Sequence, residues 1–182
     1  MRYDPPALLT QLEVPLECAQ AAARLAHNAG AVVALDPSPP RELPDELLAL
    51  VDVIKPNARE ARVLTGVDVR DRDSPRAAAR QLLDRSVGVV AIQAGDAGDL
   101  LLWREGEHWL PRLPVRAVDA TGAGDAFLAG LVAMRLAGWS WPEAGRFASA
   151  AAALTTTSFG VEVSLPRREA VLAFLERQAS DE

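Results

Sequence analysis

The sequence predicts an α/β fold with a mostly parallel sheet. Two unbroken apolar runs with β-branched residues, Ala31 to Leu35 and Val87 to Ile92, are typical of strands buried on both faces of a parallel sheet. Stretches with helical periodicity separate the strand-like runs along the chain. Strands that alternate with helices indicate a layered α/β architecture built around a parallel sheet.

Length and composition fit one globular domain. The chain has 182 residues, of which 49% are hydrophobic and 24% charged, as is ordinary for a soluble protein. The net charge of −6 gives no indication of a nucleic-acid partner or an anionic membrane surface. The opening residues, Met1 to Pro6, are not a signal peptide, and no apolar run reaches membrane-spanning length. We therefore expect a cytoplasmic protein without membrane or nucleic-acid partners.

Two residue types are rare. Cys18 is the single cysteine, so it cannot form an internal disulfide, and its place in a helical pattern predicts a small buried side chain. Lys55 is the one lysine among 19 basic residues. We interpret this excess of arginine as coding bias.

The first half of the chain predicts strands and helices in alternation. Ala7 to Leu12 is a short apolar strand, and Pro15 to Asn28 is a helix that Gly30 ends. Ala31 to Leu35 follows as the next strand. The remaining elements are a helix from Pro44 to Val51, a strand from Asp52 to Lys55, a helix from Asn57 to Gly66 and a helix from Ser74 to Arg85.

The second half predicts a hairpin followed by helices. Val87 to Ile92 is a parallel-type strand, and Glu105-Gly106 is a turn between two further strands. Val115 to Val118 is the last predicted strand. The other elements are strands from Asp99 to Arg104 and Glu107 to Pro111, and helices after Asp125 to near Gly138, from Trp141 to Thr157 with Ser140 as cap, and from Arg167 to Gln178.

Polar side chains follow several predicted strands. Ligands of parallel α/β sheets bind beyond the carboxyl ends of the strands. We therefore expect these polar residues to line one edge of the sheet: Glu13, Asp36, Asn57, Gln93 and Asp119.

The segment Asp119-Ala-Thr-Gly-Ala-Gly-Asp125 combines glycines with a carboxylate at a predicted helix start. A helix amino terminus offers unpaired N–H groups and a positive dipole end to an anion, and glycine lets the backbone approach a phosphate. Asp125 beside such a pocket could accept a proton from an attacking hydroxyl. The alternative is ordinary helix capping after a glycine-rich loop. The pattern is neither a Walker A loop nor a Rossmann fingerprint.

The order of several motifs resembles the PfkB family of carbohydrate kinases and, within it, the ribokinases. The resemblance runs from about Leu8 to the end of the chain. Besides 119–125 and Ala129-Gly130, it is carried by Gln11-Leu12-Glu13, Asp36-Pro-Ser-Pro39, Arg41-Glu-Leu-Pro-Asp-Glu-Leu-Leu48, Pro56-Asn-Ala-Arg-Glu60 and Gly160-x-x-x-Ser164.

The resemblance implies a ribokinase-like three-layer α/β/α sandwich with a mostly parallel sheet. The implied activity is ATP-dependent phosphorylation of a sugar hydroxyl, foremost D-ribose to ribose 5-phosphate, with Mg²⁺ and K⁺ as cofactors. Asp125 would be the catalytic base, and would also contact sugar and ATP. The N–H groups of Gly122, Ala123 and Gly124 would form the anion hole, with Gly124 also at the ATP. Glu13 would contact the sugar hydroxyls, or be only a loop carboxylate.

Asn57 and Glu60 can be interpreted in two compatible ways. Their spacing is that of a helix capping box. By resemblance they form the N-x-x-E motif, in which Asn57 would reach the ATP phosphates. Glu60 would hold Mg²⁺ through water, since this ion retains much of its hydration.

Further expected ATP contacts follow the strand that ends near Ile92. By resemblance they are Gln93, Ala94, Gly95, Asp96, Ala97 and Gly98, although the segment is also a plain hairpin turn. Ribokinases usually have Thr-Leu-Gly where this chain has Gln93-Ala94-Gly95. Ser149 matches a position near the adenine, with a small helix-packing residue as the alternative.

A monovalent-cation site is the last expectation from the resemblance. A K⁺ there would act on the anion hole through its charge. The alternative for the Thr-rich part is a polar helix end. Ala120 stands where the family usually has Thr or another small residue after the first Asp of its motif. The matching residues are Asp119, Thr121, Thr155, Ser158, Gly160 and Ser164.

The resemblance covers the carboxy-terminal portion of a ribokinase. The Gly-Gly sugar-binding motif and the small β lid through which full-length relatives dimerise have no counterpart here. We expect the 182 residues alone to bind nucleotide without turning over sugar. The alternatives to a ribokinase function are a non-catalytic nucleotide-binding fragment or subunit, or a PfkB kinase for deoxyribose, fructose or a nucleoside.

Overall fold

The computed structural model of the chain describes residues 5–160 and 164–180, and of Asp96 and Ser180 it describes the backbone alone. Two compact units are present, Met1–Pro111 and Arg112–Glu182. The first unit holds a six-stranded sheet with helices, and the second holds helices. Each unit is described in turn.

The sheet of the first unit is mostly parallel, as predicted. Its strands lie side by side in chain order, so both β1 and β6 are edge strands. The first four strands pair in parallel, and the last two pair antiparallel. The bounds are β1 Ala7–Thr10, β2 Val32–Leu35, β3 Val53–Ile54, β4 Val89–Gln93, β5 Asp99–Trp103 and β6 Gly106–Leu110. The predicted hairpin is confirmed as β5 and β6.

The four helices α1 to α4 form beside the sheet where the sequence predicts them. Their bounds are α1 Leu16–Asn28, α2 Asp45–Leu48, α3 Ala58–Thr65 and α4 Ser74–Asp84. Only α2 is clearly shorter than predicted. After Leu48 the N–H groups of Leu50 and Val51 donate to carbonyls three residues back, at 3.0 Å each, so the chain continues in tighter turns.

One face of the sheet carries the core of this unit. Strand register places alternate residues on that face, because side chains alternate across a strand. Leu8 is opposite Val33, and Leu35 is opposite Ile54, which is in turn opposite Val90. Ala19, Ala23 and Leu82 pack into the same cluster from α1 and α4. Cys18 is one residue away from the buried stripe of α1 and is exposed, so the prediction of a buried cysteine is wrong.

The second unit is built on two closely packed helices and a third. The bounds are α5 Ala123–Leu136, α6 Trp141–Thr155 and α7 Arg168–Ser180. A methyl group at Gly130 of α5 would lie 3.3 Å from the Ala148 Cα of α6, so the glycine permits this close approach. Ser140 and Glu143 cap α6 reciprocally. Among the described residues, no helix combines the length and the apolar character that crossing a bilayer requires.

The predicted strand from Val115 to Val118 is wrong. The segment is irregular, and Val118 is 44% exposed. The N–H groups of Val118 and Asp119 both donate to the Thr156 carbonyl, at 2.7 and 3.1 Å, rather than to a neighbouring strand. Asp119 therefore does not follow a strand.

Candidate active site

Three of the predicted edge residues meet at the carboxyl ends of parallel strands. Asp36 directly follows β2, Asn57 lies three residues beyond β3, and Gln93 ends β4. Asn57 and Gln93 form an isolated parallel bridge, in which the Gln93 N–H donates to the Pro56 carbonyl at 3.1 Å. Glu13 is exposed, three residues beyond the end of β1. The expectation that these residues follow strands at one edge therefore holds for Glu13, Asp36, Asn57 and Gln93, whereas Asp119 follows no strand.

Asn57 and Glu60 form a complete capping box at the start of α3. The Glu60 N–H donates to Asn57 Oδ1 at 2.9 Å, and the Asn57 N–H donates to Glu60 Oε2 at 2.8 Å. The capping interpretation is thus confirmed. The same geometry holds the Glu60 carboxylate in a fixed place with only 2% exposure.

The environment of Glu60 disfavours its charge. Burial is the main cause of a raised pKa for Glu60, and the nearby carboxylate of Asp36 raises that pKa further. The hydrogen bond from the Asn57 backbone and the charge of Lys55 act in the opposite direction. A cation bound at Glu60 would relieve this cost, because it favours the ionised form.

Lys55 is a site residue that the sequence reasoning missed. Its Nζ lies 3.0 Å from Asp36 Oδ2, and both side chains are buried. The available signal was its position, since the one lysine of the chain directly precedes Pro56 and Asn57. The interpretation of the excess of arginine as coding bias did not consider a buried partner for the one lysine.

The donor set around Glu60 fits a hydrated magnesium ion. Mg²⁺ is usually held by one or two carboxylates together with waters and substrate phosphates, rather than by a protein cage. Across residues 5–160 and 164–180, no group of three or more His, Cys, Asp or Glu side chains could hold a metal. A single buried carboxylate such as Glu60 suits the water-mediated mode.

The expected ATP segment after β4 forms a tight turn. Residues Gly95–Ala97 make one turn of 3₁₀ helix, closed by the Ala94 N–H, which donates to the Gly98 carbonyl at 3.0 Å. Gly98 has a φ of +90°, and a Cβ there would lie 2.3 Å from the Leu110 carbonyl oxygen. Only glycine fits this position. The hairpin-turn interpretation is confirmed, and of Asp96 only the backbone is described.

In the second unit the glycine-rich segment opens α5. Gly122 is the cap, with a left-handed φ of +79°, and the helix begins at Ala123 rather than after Asp125. Asp125 is therefore the third helical residue, exposed in the first turn, where a carboxylate favours the positive dipole end. The Ala123 N–H donates to the Ala120 carbonyl at 3.2 Å, so this N–H is already engaged.

The Asp119 loop lies against the end of α6. Asp119 Oδ1 accepts hydrogen bonds from the Thr121 N–H at 3.0 Å and from its hydroxyl at 2.7 Å. These bonds are the main cause of a lowered pKa for Asp119, and a hydrogen bond from the Gly160 backbone contributes. The loop thus brings together backbone and side-chain groups that the sequence assigned to one cation site.

The remaining predicted cation residues differ in exposure. Thr155 is buried, and its hydroxyl donates to the Ala151 carbonyl at 2.9 Å. Ser164 is buried, and its N–H donates to the Gly160 carbonyl at 3.1 Å. Ser158 and Gly160 are exposed. The hydroxyls of Thr156 and Thr157 also donate to carbonyls three residues back, as expected of a polar helix end.

Ser149 on α6 is half-buried, and its Oγ is fully covered. Among the described residues, this hydroxyl has no hydrogen-bond partner. A buried hydroxyl without a partner calls for an explanation such as a bound water or ligand.

Comparisons with known proteins point to one family. The model of the pfkB family carbohydrate kinases matches residues 7–168. The ribokinase of Haemophilus influenzae is 41% identical over 93% of this chain and 55% of its own length. The deoxyribokinase of Salmonella typhi is 34% identical over 89% and 53%, and the 1-phosphofructokinase of Rhodobacter capsulatus is 38% identical over 83% and 48%.

Solved structures agree with these relatives. Arabidopsis thaliana ribokinase, complexed with ribose and ATP, has a TM-score of 0.88 and 31% identity, covering 94% of this chain and 56% of that one. An Escherichia coli structure with ATP and Mg²⁺ has a TM-score of 0.72 and 25% identity, covering 86% and 52%. The fold is thus ribokinase-like, as predicted. The chain spans about half the length of the curated relatives it matches. It belongs to the pfkB family of carbohydrate kinases.

Proposed function

We propose that this chain serves ATP-dependent phosphorylation of a sugar hydroxyl, with D-ribose as the substrate and ribose 5-phosphate as the product. The observation that carries the proposal is the start of α5, where a left-handed glycine is followed by a carboxylate in the first helical turn. The name of the Haemophilus influenzae relative, at 41% identity, favours ribose over the other sugars.

The proposed chemistry assigns separate parts to base and anion hole. Asp125 accepts the proton of the attacking sugar hydroxyl. Backbone N–H groups from Gly122 to Gly124 stabilise the charge that develops on the transferred phosphoryl group. Because the Ala123 N–H already donates to Ala120, Gly124 is the stronger donor candidate. Glu13 would contact the sugar.

The proposed nucleotide contacts follow the resemblance to the ribokinases. Asn57, Gln93 and the turn 94–98 would bind the ATP. Ser149 would lie near its adenine. The Ser149 hydroxyl is buried without a hydrogen-bond partner among the described residues, which supports a role in binding the adenine. Glu60 would hold Mg²⁺ through water, and this ion supplies neutralising charge at the phosphates. K⁺ would be held by the cation residues given above: Asp119, Thr121, Thr155, Ser158, Gly160 and Ser164.

Identification of the product tests the substrate. The natural polypeptide that carries these 182 residues is incubated with Mg-ATP and KCl, and with D-ribose, 2-deoxyribose, fructose 1-phosphate or a nucleoside. We expect ³¹P NMR to show ribose 5-phosphate as the dominant product. Preferred phosphorylation of another acceptor would reassign the substrate within the family, and no phosphorylated sugar would refute the kinase activity.

A second candidate is nucleotide binding without sugar phosphorylation. The observation that favours it is that the chain covers only 55% of the Haemophilus influenzae ribokinase. In that case Mg-ATP would raise the melting temperature of the protein, while no acceptor would increase ADP formation.

A further inference from the structure

Two buried charged residues have no part in the proposed mechanism. Asp36 and Lys55 are near enough for their charges to act on Glu60, and the three residues are 6%, 3% and 2% exposed, respectively. They come from the carboxyl end of β2, the end of β3 and the first turn of α3. Of the three, only Glu60 has a proposed role, so the burial of the other two charges needs a separate explanation.

Strand register fixes the pair. Leu35 is opposite Ile54 in the parallel ladder of β2 and β3, so the following residues, Asp36 and Lys55, are neighbours. The Lys55 N–H donates to the Leu35 carbonyl at 3.0 Å, and its Nζ lies 3.0 Å from Asp36 Oδ2. Strand register therefore places the two residues of the ion pair side by side.

Stability alone does not explain this pair. Removing two charges from water costs about as much as their attraction returns, and an apolar pair of the same volume is often at least as stable. In addition, the chain uses arginine at every other basic position and lysine only here. The ammonium is a compact point charge, whereas a guanidinium is a broad planar fork.

The ion pair of Asp36 and Lys55 determines the net charge around Glu60. Asp36 and Lys55 cancel each other, so the buried cluster retains one negative charge, that of Glu60. Both neighbours act on Glu60 through their fields, with opposite signs. Without the ammonium group, two buried carboxylates would be left uncompensated, and they would attract a divalent cation much more strongly.

We propose that Lys55 is a positioning residue that sets the strength of divalent-cation binding at Glu60. By neutralising Asp36, it leaves one uncompensated carboxylate, so the cation binds weakly alone and firmly only together with nucleotide phosphates. The inference rests on the Mg²⁺ role of Glu60 in the proposed function.

A charge cycle tests the inference with Mn²⁺ as the probe, in the absence of nucleotide and sugar. Free Mn²⁺ is measured by electron paramagnetic resonance. Relative to the natural protein, we expect Lys55→Met to bind Mn²⁺ at least about tenfold more tightly and Asp36→Asn about tenfold more weakly. The double variant restores the net charge of the cluster, so its affinity should return to that of the natural protein.

Two control variants separate charge from structure. Lys55→Arg retains the positive charge and should retain the original Mn²⁺ affinity. Arg62→Met removes a positive charge from the same helix as Glu60, but Arg62 is 66% exposed, and solvent screens its field. This variant should bind Mn²⁺ as the natural protein does.

The inference would be overturned if the natural protein, Lys55→Met and Asp36→Asn bound Mn²⁺ with equal affinity. It would also be overturned if the Mn²⁺ affinity of the double variant did not return to that of the natural protein. If Lys55→Met does not fold, the order of Asp36→Asn, Lys55→Arg and the double variant decides the same question. In the natural protein labelled with ¹³C-lysine, the Lys55 side-chain resonance is identified by its loss in Lys55→Arg, and Mn²⁺ with ADP should broaden it. No broadening would also overturn the inference.

The outcomes distinguish the inference from the proposed function. The predicted order of Mn²⁺ affinities without any sugar phosphorylation would leave the inference standing and remove the kinase activity. Sugar phosphorylation without that order of Mn²⁺ affinities would support the kinase activity and overturn the inference.

Discussion

At the scale of single residues, Glu60 is a helix cap for which we also propose a role in binding Mg²⁺. Its carboxylate accepts the Asn57 N–H at 2.8 Å and completes the capping box of α3. Burial nevertheless raises the pKa of Glu60, so the ionised form is held at a cost. A cap whose charge is stabilised by a cation suits the proposed binding of ATP phosphates at the start of α3.

The raised pKa of Glu60 predicts a pH-dependent effect of Glu60→Gln on stability. Below the unfolded-state pKa of 4.5, the tighter proton binding of the folded chain contributes stability. This contribution is lost as the pH rises through the raised folded-state pKa. Glutamine retains the acceptor for the Asn57 N–H but carries no charge. We therefore expect Glu60→Gln to gain stability relative to the natural protein as the pH rises from below 4.5 through the raised folded-state pKa of Glu60.

Urea unfolding at several pH values measures this effect in the absence of metal. The exposed substitution Glu46→Gln on α2 is a suitable control, because it should show no comparable trend. A stability difference for Glu60→Gln that is flat with pH, or that falls as the pH rises, would contradict the burial argument.

The sequence could predict part of the site at this scale. The spacing of Asn57 and Glu60 within one helical turn is enough to predict their mutual hydrogen bonds. The contact of Asp36 with Lys55 depends on the register of two strands that are distant in sequence, which local spacing does not encode. The engagement of the Ala123 N–H likewise depends on where the helix begins, and helix ends are the least predictable part of an element.

At the scale of elements, the turn between β4 and β5 depends on Gly98. A Cβ there would lie 2.3 Å from the Leu110 carbonyl, and its φ of +90° is unfavourable for other residues. We expect Gly98→Ala to destabilise the protein by about 2 to 4 kcal/mol, because a backbone clash is added to the strain. The loss should appear in urea unfolding curves.

Gly95 is the matched control for this prediction. It lies in the same turn with a φ of +63°, but a Cβ there would meet open space. Gly95→Ala should therefore cost only about 1 to 2 kcal/mol. Equal losses for the two variants would show that the contact with Leu110 does not shape the turn.

The packing of α5 on α6 makes a second prediction at this scale. Gly130→Val would push a branched side chain into Ala148 and Phe147. A Cβ added at this glycine would lie 3.3 Å from the Ala148 Cα and 3.4 Å from the Phe147 ring. We expect a loss of about 2 kcal/mol or more in the free energy of unfolding. Ala129→Val, at the exposed neighbouring position, should cost less than about 1 kcal/mol. A neutral Gly130→Val would contradict the close packing.

Most elements were predictable because their patterns are strong and local. The unbroken apolar runs of β2 and β4 and the Ser-Pro start of α4 each specify one structure. The segment from Val115 to Val118 has a strand-like composition, yet its N–H groups donate to the end of α6. That contact is made between segments distant in sequence, so composition alone predicted the wrong element.

At the scale of the whole molecule, the chain belongs to a kinase family while spanning about half the length of its curated relatives. The relatives carry the names of ribose, deoxyribose and fructose 1-phosphate kinases. Family membership therefore specifies the type of reaction more closely than the sugar.

The most direct test of the central claim is ribose-dependent ADP formation by the natural polypeptide that carries these residues, with Mg-ATP and KCl, beside Asp125→Asn. We expect ribose to increase ADP formation, and the substitution to reduce the rate by about 10² to 10⁴-fold. Mg-ATP should still raise the melting temperature of both proteins, which would show that the variant is folded and binds nucleotide. A rate within a few-fold of the natural protein, or ADP formation indifferent to ribose, would contradict the account.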